Sequence, residues 1–114
     1  MKVSTIALGC FAFGGDKKTG GHNGETMAKL HQGVWGDQSE QDTFDTVKAA
    51  LDAGINFFDN AEMYGDGYAE EVLGRALKAS GYQRDQYYIA TKVRKQSAYP
   101  HFIMMIIVSN IAPF

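Results

Sequence analysis

The chain passes from a helix end through a strand into a polar loop within one stretch, Gly54-Ile55-Asn56-Phe57-Phe58-Asp59-Asn60-Ala61-Glu62-Met63-Tyr64-Gly65. Gly54 stands where a glycine commonly ends a helix. Ile55 to Asp59 is short and mostly apolar, which is typical of a buried strand. Gly65 and Gly67 mark the loop that follows the strand. We therefore predict a helix, a strand and a loop in direct succession.

Helical patterns flank this stretch on both sides. The first begins at Ser39, with Asp42 in the capping-box position, and continues to Gly54. The second runs from Glu70 to Ser80. Both repeat apolar residues at helical spacing, which predicts one buried face on each helix. The apolar positions are Phe44, Val47, Ala50 and Leu51 in the first helix, and Val72, Leu73, Ala76 and Leu77 in the second.

Two further apolar runs predict strands, one at Thr5 to Phe11 and one at Tyr87 to Val93. The order along the chain is then strand, helix, strand, helix, strand. Unbroken apolar runs are typical of strands that are buried on both faces, as in a parallel sheet covered by helices. The sequence therefore predicts an α/β fold with parallel strands.

Two segments do not follow this alternation. Gly14 to Asp37 is rich in glycine and polar residues, and we interpret it as a loop with a short helical turn around Glu25 to Leu30. Residues 96–114 contain both prolines and no charged residue, so we divide the chain into 1–95 and a divergent apolar tail at 96–114. Within the tail, Phe102 to Val108 forms either a fourth strand or an unpaired, aggregation-prone segment.

Length and composition exclude several classes of protein. The 114 residues suit a single domain, and a net charge of −2 argues against nucleic-acid binding through bulk positive charge. The single cysteine, Cys10, excludes an intrachain disulfide. The longest apolar run is far shorter than the roughly 20 residues of a membrane span, and no signal peptide precedes the first strand, so we expect a cytoplasmic protein without a membrane partner. The three histidines lack metal-ligand spacing, and no metal site is predicted.

Three polar residues, Asp59, Tyr64 and Lys92, stand at or just after the carboxyl ends of predicted strands. In parallel sheets this edge is where active sites are built. Tyrosine, with an ordinary pKa near 10, is a poor acid at neutral pH. A nearby ammonium favours the phenolate, and a carboxylate beside the ammonium keeps it charged. The three side chains together would make a tyrosine able to donate a proton to a carbonyl oxygen.

These motifs resemble those of the aldo-keto reductases. The family pattern is an aspartate after a strand, a tyrosine five residues on, a helix opened by Glu70-Glu71, and a strand ending in Thr91-Lys92. The opening Leu8-Gly9-Cys10-Phe11-Ala12-Phe13-Gly14-Gly15 is similar to the family's first barrel strand. The resemblance covers roughly residues 3–94. It implies the N-terminal part of a (β/α)8 TIM barrel, comprising about three strand–helix units.

The resemblance implies an NADPH-dependent oxidoreductase that reduces small aldehydes or ketones to alcohols. Tyr64 would be the general acid, Lys92 its activating partner, and Asp59 the counter-ion of the lysine. Cys10, Phe11 and Asp59 would lie against the cofactor. Cys10 and Asn60 both stand where threonine is common in the family, and we expect the change at Asn60 to matter less.

The resemblance also implies parts that we do not find in the sequence. The family's catalytic histidine lies on the next strand, and His101 is too close to Lys92 to be assigned that role. A complete barrel needs about 250 residues. The alternative is therefore a truncated, catalytically silent chain that acts, if at all, by association. Open sheet edges would provide the route to such self-association.

Overall fold

The computed structural model describes residues 2–15, 38–94 and 104–109. These residues form four strands and two α-helices, with short 3-10 helices at Phe11–Gly14 and Arg84–Gln86. The strands are β1 (Leu8–Gly9), β2 (Phe57–Asp59), β3 (Tyr88–Arg94) and β4 (Met104–Ser109), and the helices are α1 (Glu40–Asp52) and α2 (Tyr68–Ala79).

The strands form one sheet in the order β1-β2-β3-β4. β2 is parallel to both β1 and β3, and the register places Gly9, Asp59 and Ala90 side by side. Both helices pack on this parallel part, with Phe58 wholly buried at its centre. The predicted α/β fold with parallel strands and covering helices is therefore confirmed for β1 to β3.

β4 departs from the parallel pattern. It pairs with β3 in the antiparallel direction, with Ile106 opposite Lys92. The nine residues between β3 and β4, 95–103, are fewer than the dozen or more that a parallel crossover needs. Of the two interpretations of Phe102 to Val108, the structure supports the strand, shifted to Met104–Ser109.

α1 begins as the capping pattern predicts. The backbone N–H of Asp42 donates to Ser39 Oγ over 3.0 Å, and the Ser39 hydroxyl donates to the Asp42 carboxylate over 2.6 Å. After the helix, Gly54 has a φ of 85°, in the left-handed region that glycine tolerates best. Val47 and Leu51 are buried, as expected from their spacing.

α2 begins two residues earlier than predicted, at Tyr68, after Gly67 in a left-handed conformation with a φ of 92°. Its predicted apolar positions are all buried and face α1 and the sheet. On the outer side, Arg75 of α2 donates to the Glu40 carboxylate of α1 over 2.7 Å. The two helices therefore share a buried apolar contact and an exposed ion pair.

Two strands are shorter than predicted. β1 was expected over Thr5 to Phe11 but covers two residues, because the chain turns into a 3-10 helix at Phe11 and the preceding Ile6 is 67% exposed. β2 was expected from Ile55, but the Ile55 N–H donates to Ala50 O at the end of α1 instead of to a strand. Apolar runs predict strands well here, but pairing sets their limits.

Other predictions lie outside the described residues. They concern most of the loop at Gly14 to Asp37, including the helical turn at Glu25 to Leu30, and His101. Among the helices of the described residues, none is long and apolar enough to cross a membrane.

Candidate functional site

The carboxyl edge of β2 and β3 brings the predicted site residues together. Asp59 ends β2 opposite Ala90, and Lys92 lies two residues further along β3, so both stand at the same edge. The chain beyond β2 stays bound to β3, because Asn60 N–H donates to Ala90 O and Glu62 N–H donates to Lys92 O. This continued pairing carries the loop past Lys92 and brings Tyr64 to the same place.

The Lys92 ammonium is the centre of the site. Its Nζ lies 2.6 Å from Asp59 Oδ1, 2.9 Å from the Asn60 carbonyl oxygen and 3.1 Å from the Tyr64 hydroxyl oxygen. An ammonium has three hydrogens to donate and no lone pair, so every one of these contacts is donated by the lysine. The phenol of Tyr64 therefore accepts here and keeps its own hydrogen for another acceptor.

Lys92 is held as a cation. Burial lowers its pKa, since only 16% of the side chain is exposed, but the hydrogen bonds to Asp59 and Tyr64 outweigh that effect and leave the pKa raised. The lysine is therefore positively charged throughout the neutral range. The carboxylate of Asp59, 42% exposed, supplies the opposite charge.

Two contacts from the β1 side hold Tyr64. The Phe11 ring meets the Tyr64 ring edge-on, with centroids 4.8 Å apart. Next to it, Gly14 and Gly65 touch through their backbones, so that a Cβ built on Gly65 would come within 2.6 Å of Gly14 Cα. Because real Cβ atoms do not approach so closely, this contact requires glycine at both positions.

Cys10 is wholly buried beneath the site. Burial raises the pKa of its thiol to about 12, and the nearby Asp59 carboxylate adds to the effect. The thiol of Cys10 is therefore not accessible from the surface of the described residues. The Phe11 ring and the Asp59 carboxylate are both partly exposed. The binding roles predicted for Cys10, Phe11 and Asp59 stay predictions.

Sequence reasoning missed two supporting contacts. From the sequence we expect the change at Asn60 to matter less than the change at Cys10, yet the Asn60 side chain is buried and donates to Ala69 O at the start of α2. Glu70, which enters the sequence-based prediction only as part of the opening of the second helix, accepts a hydrogen bond of 2.5 Å from the Thr91 hydroxyl of β3. The sequence signals for these contacts are an amide directly after a strand and a hydroxyl residue inside an apolar strand.

No metal centre is found in the part of the chain that the structure describes, where no group of three or more His, Cys, Asp or Glu side chains converges.

A parallel α/β sheet with Asp, Tyr and Lys side chains joined at its carboxyl edge is the arrangement seen here. The model of the Aldo/keto reductase family matches residues 23–109, about three quarters of the chain. The chain belongs to this family. The matched range begins and ends later than the resemblance at residues 3–94 and includes β4, while the division of the chain at residue 95 stays a prediction.

Known relatives agree with this assignment. Aldo-keto reductase YhdN of Bacillus subtilis is 37% identical over 92 residues, which cover 81% of this chain and 22% of that protein. A probable voltage-gated potassium channel subunit beta of Oryza sativa is 39% identical over 77 residues, covering 64% of this chain and 24% of that protein.

Among solved structures, a glycerol dehydrogenase of Gluconobacter oxydans matches with a TM-score of 0.53 and 28% identity, over 90% of this chain and 26% of that one. This chain thus spans about a quarter of the length of the relatives it matches.

Proposed function

We propose that the site carries out the proton-transfer part of carbonyl reduction, with NADPH as the reductant and an aldehyde or ketone as substrate. The observation that supports this most directly is the Lys92 ammonium, which donates to the Tyr64 hydroxyl oxygen over 3.1 Å. Placing a positive charge at the phenol oxygen stabilises the negative charge that develops there when the proton leaves.

Each residue has a defined role in this proposal. Tyr64 donates its proton to the carbonyl oxygen of the substrate, and the oxygen of the tyrosine becomes a phenolate. Lys92 stabilises that phenolate. Asp59, 2.6 Å from Nζ, orients the ammonium and keeps it charged. The three residues thus supply the proton and compensate the negative charge left on the Tyr64 oxygen. The hydride that the carbonyl carbon receives has to come from a bound reductant.

NADPH would supply that hydride when bound. The exposed part of the Asp59 carboxylate can accept a hydrogen bond from a ribose hydroxyl, and the partly exposed Phe11 ring offers an apolar wall beside Tyr64. The buried thiol of Cys10 fits no direct side-chain contact, so any contact at Cys10 would come from its backbone. These features fit a nicotinamide cofactor at this edge of the sheet.

The test compares two tyrosines of the chain. Tyr64→Phe should lower kcat/KM for NADPH-dependent reduction of an aldehyde by about 10²–10⁴-fold, because the proton donor is lost. NADPH binding, followed by quenching of its fluorescence, should change little. Tyr82→Phe, at a half-buried tyrosine whose hydroxyl donates to Asp52, is the matched control and should leave both unchanged. Full activity in Tyr64→Phe would refute the assigned mechanism.

The second candidate is a catalytically silent chain that acts by associating with other chains. It is favoured by the sheet, in which β1 and β4 are the outer strands of the described part, and by the relative that bears the name of a channel subunit. Light scattering after gel filtration measures association directly. A chain that neither binds NADPH nor reduces aldehydes, but elutes as an oligomer, would support this candidate against the first.

A further inference from the structure

We propose that Asn60 is the positioning residue of the Lys92 ammonium, and that it acts by tying the turn after β2 to the start of α2. The proposal deepens the proposed function, because it concerns how the partner of Tyr64 is held in place. Asn60 touches no reacting atom and acts only through Lys92.

Every polar atom of Asn60 is bonded. The side chain, 1% exposed, donates from Nδ2 to Ala69 O over 3.1 Å and accepts at Oδ1 from Ala61 N over 2.9 Å. The backbone N–H donates to Ala90 O over 2.8 Å. The backbone oxygen accepts from Lys92 Nζ over 2.9 Å. One residue thus connects β2, β3, α2 and the ammonium.

The position of Asn60 makes these bonds relevant to Lys92. Two of the three acceptors of the ammonium, Asp59 Oδ1 and Asn60 O, belong to neighbouring residues of one turn. If the turn shifts, both acceptors move together and the distance from Nζ to the Tyr64 oxygen changes with them. The buried amide prevents that shift, because breaking its bonds would leave polar groups without partners away from water.

The lysine ammonium itself provides the readout. In proton–nitrogen spectra selective for lysine side chains, hydrogen-bonded ammonium protons exchange slowly with water. Lys92→Met identifies the Lys92 signal by its disappearance. Asn60→Ala should speed exchange of that signal by about tenfold or more. Without the amide the turn can shift, and the ammonium then loses its charge-assisted bonds to Asp59 Oδ1 and to the backbone oxygen of residue 60. Asn60→Thr, in which one hydroxyl oxygen stands in place of the two separate polar atoms of the amide, should give an intermediate rate.

The control is Val47→Ala, which removes buried apolar atoms from α1 without touching the bonds of Asn60. It should destabilise the fold while leaving the Lys92 exchange rate near that of the wild type. Equal acceleration in Val47→Ala and Asn60→Ala would overturn the proposal, and so would an unchanged rate in the Asn60 variants. If Asn60→Ala does not fold, Asn60→Thr decides on the same criterion.

The measurement needs neither cofactor nor substrate. Loss of Lys92 ordering in the Asn60 variants therefore supports the positioning role even if no carbonyl reduction is found. Conversely, an unchanged Lys92 exchange rate in the Asn60 variants, together with a loss of activity in Tyr64→Phe, would refute the positioning role of Asn60 and leave the proposed function standing.

Discussion

Two clusters of the same three residue types occur in the described part of the chain, and in only one of them does the lysine donate to the phenol oxygen. We call them the site cluster and the surface cluster. The site cluster consists of Asp59, Tyr64 and Lys92, and the surface cluster of Lys48, Asp52 and Tyr82.

The clusters differ in which residue is central. In the site cluster the lysine lies between the other two and donates to the phenol oxygen. In the surface cluster Asp52 is central, and Tyr82 donates its own hydrogen to that carboxylate over 2.9 Å. That bond raises the pKa of Tyr82, which makes it a weaker acid. The same three residue types in proximity therefore do not define a catalytic site. Tyr64 accepts a hydrogen bond from its lysine, whereas Tyr82 donates its own proton to its carboxylate. Only the first arrangement leaves the phenol proton available to a substrate.

The clusters also differ in burial. Lys48 and Asp52 are each 52% exposed, whereas Lys92 is 16% exposed. Water screens the surface pair, and such exposed pairs contribute little to stability. At the site, partial exclusion of water strengthens the interaction between ammonium and phenol.

The largest expected difference between the two clusters comes from replacing the lysine of each. Lys92→Met should lower kcat/KM for aldehyde reduction by at least about 100-fold, because the phenolate loses its stabilising charge. Lys48→Met, the matched change in the surface cluster, should leave kcat/KM unchanged. Steady-state kinetics with NADPH measures kcat/KM of both variants. Equal effects of the two substitutions would show that the site cluster has no catalytic role that the surface cluster lacks.

Stability at high pH provides a second readout for Lys92→Met. The pKa of Lys92 is raised in the folded chain, so its stabilising contribution is fully present below the ordinary lysine pKa of about 10.4 and is lost as the pH rises through the folded value. The difference in unfolding free energy between wild type and Lys92→Met should shrink above that pH. Urea unfolding at pH 9 and pH 11 tests this, and a growing difference would contradict the assigned contacts.

A smaller effect is expected from the glycines of the loop that carries Tyr64. Gly65 and Gly67 both have positive φ, 58° and 92°, but only Gly65 faces another backbone closely. Gly65→Ala should therefore cost about 2 kcal/mol more than Gly67→Ala, the difference being the collision with Gly14. Urea unfolding measures both free energies. Equal costs would show that backbone conformation, and not the close contact, requires glycine at Gly65.

The smallest effect is expected in the surface cluster. Hydrogen bonds from Lys48 and then Tyr82 lower the pKa of Asp52, so its contribution is present above the unfolded value of about 3.9 and is lost as the pH falls through the folded value. Asp52→Asn should therefore lower the urea midpoint slightly at pH 7, and its difference from wild type should narrow as the pH falls through the lowered folded value. A cost as large as that of Gly65→Ala would show that the surface cluster contributes more than exposure allows.

Much of the fold follows from local pattern. Ser39 and Gly54 predict the limits of α1 because capping and helix termination depend on a few neighbouring residues. The apolar spacing in α2 predicts its buried face for the same reason. The spacing of Asp59, Tyr64 and Lys92 also allows their meeting to be predicted, since parallel strands end at a common edge.

Other features depend on contacts between residues far apart in the chain, and sequence pattern does not report them. The limits of β1 follow from its pairing with β2, and the antiparallel direction of β4 follows from its pairing with β3. Asn60 and the Gly14–Gly65 contact become important only when the turn after β2 meets α2 and the end of β1. Local pattern thus specifies the elements and the candidate residues, whereas long-range packing specifies which atom of Lys92 meets which oxygen, because hydrogen bonds require positions accurate to a few tenths of an ångström.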